Sequence, residues 1–156
     1  MTFSASIDRD ANRQIISSNE AFKLESTWTF AAATTGAIAA HTLFTVTGNI
    51  LLTIFGVVDT TITSAGAPTI EVGVTGNTAA LIAQSLAASL ADGEVWVDGT
   101  LTRVGVGAVP AMQVLNDGND VILTVATATL TAGAIDFYCL WRPISSDGAV
   151  SVTVPA

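Results

Sequence analysis

Read in steps of two, the segment AIDFYCLWRP at residues 134–143 sets Ile135, Phe137, Cys139 and Trp141 on one side and Asp136, Tyr138, Leu140 and Arg142 on the other. Strand side chains alternate between faces, so the pattern predicts a strand with one wholly apolar face and one mixed face. The period recurs along the chain. Trp28 and Phe30 open one alternating run, residues 43–46 give another, and TIEVGV at 69–74 sets Ile70, Val72 and Val74 opposite Glu71. The segment NILLTIFGVV at 49–58 differs, with Ile50, Leu52 and Ile54 on one side and Leu51, Phe55 and Val57 on the other. A strand apolar on both faces is expected to be covered on both. Further strands are expected at 94–97, 121–129, 135–142 and 150–154, and the Thr-, Ser-, Gly- and Pro-containing stretch 59–68 reads as a loop. Pro143 ends its strand because proline brings no ladder donor, and SSDG at 145–148 supplies a turn. The last three strands therefore read as a meander.

One segment breaks the period. In GNTAALIAQSLAASLADG, Ile82, Leu86 and Leu90 fall at i, i+4 and i+8 on one helical stripe. Asn77 or Thr78 would cap its start and Asp92-Gly93 would end it, so a short helix is expected over 78–91, lying on a sheet edge. Residues 1–25 are polar, mixed in charge and without sustained period, which marks an N-terminal arm before a single β domain at 26–156. The arm either stays unordered alone or orders across a neighbouring subunit, with Ile15, Ile16 and Phe22 as anchors. Many short strands with one helix and no repeat give an all-β fold, a β-sandwich or jelly-roll-like barrel.

Charge and composition narrow the function. Apolar residues make up 50% of the 156 and charged residues only 12%, so Thr, Ser and Asn must supply much of the polar surface. A net charge of -8 with five basic residues argues against binding nucleic acid, which needs clustered Lys and Arg. A membrane span is not expected either, because the apolar region at 37–58 is interrupted by Thr and Asn and enriched in β-branched residues. The N-terminus lacks the apolar core of a secretory signal, and a lone cysteine excludes an internal disulfide.

Candidate chemistry is sparse. His41 has no sequence partners that make a catalytic set, and no nucleophile-elbow motif is present, so it reads as a structural or interface residue. Cys139 shares a face with Phe137 and Trp141 and reads as buried. One His and one Cys cannot make the usual zinc set. The NDGND loop at 116–120 reads as a hairpin turn whose Asx side chains bind backbone, since the EF-hand spacing is absent. No cofactor, metal or catalytic residue is expected, and the chain is not expected to be an enzyme. Asp92, Glu94 and Asp98 are the densest acid group. Glu94 and Asp98 would share a strand face with Trp96, which makes a sugar-stacking platform the alternative function, a carbohydrate-binding module of a tail fibre or adhesin. On the mixed face, Tyr138 and Arg142 are of the residue types that concentrate binding energy at interfaces, and Phe55, Trp141 and Phe22 join them as interface candidates.

The segments GNILLTIFGVV, TIEVGVTGNTAALIAQ and AIDFYCLWRPISSDGAV resemble small virion structural proteins of tailed bacteriophages, of the kind that decorate or cement the head. The likeness spans about residues 36–98 and 120–154 and rests on pattern and phrase. It implies a β-rich structural protein of the phage particle, assembled in the host cytoplasm. The implied partners are its own copies, commonly as a homotrimer, and the major capsid protein or another virion protein.

Overall fold

The computed structural model describes residues 21–99 and 108–153. Ten strands follow one another: β1 (Phe22–Thr29), β2 (Ala39–Thr47), β3 (Ile50–Ser64), β4 (Thr69–Val74), β5 (Asn77–Leu86), β6 (Val95–Trp96), β7 (Gln113–Leu115), β8 (Val121–Ala126), β9 (Leu130–Pro143) and β10 (Ala149–Val152). They form two packed five-stranded sheets. The first runs β1-β9-β3-β6, with β7 also on β3, and the second runs β10-β2-β8-β4-β5. The fold is an open β-sandwich, and no barrel closes.

Alternation decides which side chains enter the space between the sheets. From β3 come Ile50, Leu52, Ile54 and Val58, and from β9 come Ile135, Phe137 and Cys139, all essentially inaccessible. The second sheet answers with Phe44, Val46, Ile70, Val72, Leu123 and Val125. Leu43 and Phe44 are adjacent yet both buried, because a bulge between Thr42 and Phe44 lets two consecutive residues face the core.

Three expectations need correction. The helix over 78–91 is absent: residues 77–86 are strand β5, followed by a single 3-10 turn at Ala87–Ser89. Val74 and Asn77 pair across a two-residue connection in which Gly76 adopts φ 86°, a turn conformation that favours glycine, so TGN is a hairpin turn rather than a helix cap. The helical stripe is not a buried face either, since Leu86 is 45% exposed between buried Ile82 and Leu90. The last three strands are not a meander, because β8 and β10 lie in the second sheet and β9 in the first. Finally, much of the expected loop at 59–68 belongs to β3, which pairs with β9 as far as Ser64 through successive register shifts.

The NDGND loop does bind backbone through its side chains, but it does not turn a hairpin, because β7 pairs with β3 in one sheet and β8 with β2 and β4 in the other, and its bonds run across the fold. Asp120 Oδ1 accepts from the Val46 amide at 2.9 Å and Asp117 Oδ1 from the Gly48 amide at 2.8 Å, while Asn49 Oδ1 accepts from the Asp117 amide at 3.2 Å. These bonds tie the β7–β8 loop to the β2–β3 turn. Asp120→Ala leaves a part-buried amide without its acceptor and is expected to cost about 2 kcal/mol in urea unfolding. Asp120→Asn retains an acceptor and is expected to recover at least half of that loss.

Candidate functional site

The outer face of the first sheet carries the mixed side of β9 and the second apolar side of β3. Register sets the neighbours: Leu51 beside Arg142, Thr53 beside Leu140, Phe55 beside Tyr138 and Val57 beside Asp136. On the other flank of β9, β1 brings Lys23 beside Leu140, Glu25 beside Tyr138 and Thr27 beside Asp136. Phe55 and Tyr138 stack with ring centroids 5.3 Å apart, and Lys23 Nζ lies 5.5 Å from the centre of the Tyr138 ring. Aromatic stacking and a cation over a ring are both favourable geometries. Val95 and Val114 extend the apolar surface along the far edge of β3, and Val114 is 61% exposed.

Among the described residues no second layer covers this face, although the sequence suggests one. Leu51, Phe55, Val57, Tyr138 and Leu140 are all half-buried, shielded by neighbours in their own sheet, while Thr53 is buried and donates to the Pro110 carbonyl at 2.9 Å. Around the aromatic pair the charges are organised. Thr27 donates to Asp136 at 2.6 Å, and Lys23 pairs with Glu25 at 3.1 Å in an exposed bridge. Partial burial first, then the Glu25 and Asp136 carboxylates, hold the Tyr138 phenol above its ordinary range.

The remaining candidates are distributed elsewhere. Trp141 lies on the inner side at the end of the sandwich, half-buried, with its ring centroid 5.0 Å from that of Phe22. Phe22 is 45% exposed and belongs to β1, so the last part of the expected arm is a paired strand. Ile15 and Ile16 lie outside the described residues. His41 packs its ring 5.4 Å from Trp28 and sits 3.1 Å from the Ala37 carbonyl, a structural setting. Cys139 is fully buried, and burial pushes its thiol up to about 12.

The sugar platform is overturned. Trp96 has no exposed surface: its ring lies over Gly56, 6.1 Å from Phe137 between centroids, and Nε1 donates to Ser85 Oγ at 2.8 Å. A Cβ at Gly56 would come 2.8 Å from Ile135, too close, and 3.6 Å from Trp96, an ordinary contact, so glycine makes room for Ile135 on the neighbouring strand. Glu94 is also buried, accepting from the Ala91 amide at 2.9 Å, and β6 ends before Asp98. The three residues form no common exposed face. A cleft of about 170 Å³ between the β4–β5 turn and β7 is lined by Val74, Leu81, Gln113, Asn116 and Asn119, and none of its lining groups titrates. Among the described residues, no cluster of three or more His, Cys, Asp or Glu is arranged to hold a metal ion.

Lys23 and Glu25 are members of the outer face that the sequence pattern does not reveal, because the inner positions of β1 include Ser26, which interrupts the apolar alternation.

Fold and site together define a β-sandwich whose distinctive surface is one half-exposed aromatic and aliphatic sheet face. No family model matches the chain, and no curated protein or solved structure was found similar to it.

Proposed function

We propose that the chain is a structural component of a tailed-phage virion, a head decoration or cement protein that acts by protein–protein contact. The observation that carries the reading is the outer face around Phe55 and Tyr138, where apolar side chains stand half-exposed on a sheet surface. Apolar surface of this kind, rimmed by polar groups, marks an interaction site. The outer side of the second sheet is different in kind, presenting Thr45, Glu71 and Gln84. The excess of acid favours contact with protein over packaged nucleic acid. Its partners are further copies of itself and a capsid protein, with the homotrimer being what the resemblance implies.

The test is cosedimentation of the purified chain with head shells of the particle whose genome encodes it. The parent chain is expected to pellet with the shells. Phe55→Ala is expected to fold with a melting temperature within a few degrees of the parent, since Phe55 is outside the core, and to weaken cosedimentation by tenfold or more. A parent chain that remains in the supernatant overturns the proposal.

A further inference from the structure

We propose that the outer face of the first sheet pairs with the same face of a second copy, about a two-fold axis that lies in the interface and runs across the strands. The inference rests on reading this face as a protein contact, and it adds the partner and the geometry.

Register arranges the face in rows. Arg142 stands beside Leu51; the next row holds Lys23, Leu140 and Thr53, the last under the Pro110 carbonyl; the next holds Glu25, Tyr138 and Phe55; the next holds Thr27, Asp136 and Val57. Both cations therefore occupy one end and two carboxylates the other, with the aromatic pair near the middle. A two-fold axis parallel to the strands would set cation on cation. An axis across the strands, between the Lys23 and Glu25 rows, keeps each strand over its own copy and reverses its direction. Lys23 then faces the partner's Glu25, Arg142 faces the partner's Asp136, and Leu140 faces the partner's Tyr138. The tilt of about 30° at which twisted sheets pack shifts these pairs by less than the reach of Lys and Arg side chains.

Electrostatics also selects the face. Lys23 and Arg142 are the only Lys or Arg among the described residues, and every described charged residue outside this face is an acid. Elsewhere two copies would bring carboxylate against carboxylate, whereas here the charges balance. The Lys23–Glu25 bridge within one copy, with side chains 58% and 45% exposed, is weak enough to exchange for one between copies. Four strands across and six residue steps along give a footprint of about 15 by 20 Å. At about 300 Å² a side it lies below the usual range of stable specific interfaces, so the contact is a weak one, with an expected dissociation constant on the order of a hundred micromolar. The contact is isologous, so it closes at two copies or joins two rings back to back.

The experiment is sedimentation equilibrium of the full chain and of two variants, Arg142→Asp and Asp136→Arg. The parent is expected to associate into an even-numbered assembly, and each variant alone to associate at least tenfold more weakly, because each places like charges opposite each other twice. An equimolar mixture of the two variants is expected to restore association, since both contacts in the mixed pair are between opposite charges. A parent that stays monomeric at hundreds of micromolar overturns the inference. So does a three-chain assembly that neither variant weakens, or a mixture no tighter than its components. If either variant fails to melt like the parent, Lys23→Glu and Glu25→Lys replace the pair with the same logic. A parent that binds shells as a monomer sinks only the pairing. Shell binding that survives Phe55→Ala while the charge exchange behaves as expected sinks only the reading of the preceding section.

Discussion

Trp96→Ala is expected to be the most damaging single truncation, costing about 4 kcal/mol of folding stability. The indole is wholly buried against Gly56 and Phe137, and its Nε1–H holds Ser85 Oγ, which in turn reaches the Ala83 and Asp98 carbonyls. β6 packs its indole against β3, the longest strand of the sheet, so the surrounding strands cannot close on an alanine without moving β3. For a chain of this size the loss corresponds to a fall of roughly 10 °C in melting temperature. Trp96→Phe, which retains most of the apolar volume but not the donor, is expected to fall between the two. Calorimetry of the three proteins checks the order. A Trp96→Ala protein that melts with the parent would show the side chain to be at the surface, and only then would a sugar-stacking role return.

What the sequence made legible, and what it did not, follows from how regular each strand is. Residues 134–143 alternate without interruption, and the structure pairs them in regular register with β1 from Ala134 to Trp141 and with β3 from Ile135 to Pro143, so both the strand and its inward face could be read directly. Residues 77–86 could not. Register shifts between β4 and β5 bury Leu81 and Ile82 side by side and turn Leu86 outward, and the resulting spacing of apolar residues imitates a helical stripe. Trp96 misled in another way. Its acidic neighbours suggested a strand face shared with Glu94 and Asp98, whereas Glu94 turns back to the Ala91 amide and β6 is only two residues long. The two apolar sides of β3 were correctly legible, but alternation within one strand carries no information about a second layer. Only the assembled sheet shows that Leu51, Phe55 and Val57 meet β9 side chains laterally and remain half-open. The charge order of that face was hidden for the same reason. Lys23 and Arg142 are far apart in sequence, and the antiparallel pairing of β1 with β9 brings them to one end.

Alkaline pH is expected to destabilise the fold through Cys139. The thiol is buried among the inner side chains of β9 and its neighbours, and desolvation raises it from 9.0 to about 12. Below pH 9 the thiol is protonated in both the folded and unfolded chain and contributes no slope. Between about pH 9 and 12 the unfolded chain releases the proton while the folded chain keeps it, so the folded state binds more protons and stability falls as pH rises. A single group contributes at most about 1.4 kcal/mol per pH unit, or on the order of 4 kcal/mol across the window. Cys139→Ala removes this contribution, at the cost of a smaller side chain in the core. The informative quantity is therefore the difference in slope between the two proteins in urea unfolding at successive pH values, with the tyrosine and lysine contributions common to both. The parent is expected to lose stability more steeply than the variant above pH 9, and parallel curves would show that the thiol meets solvent in the folded chain. Thiol labelling gives an independent reading of the same burial. At pH 8 the folded parent is expected to react with a disulfide reagent only as fast as it opens, and fully in denaturant.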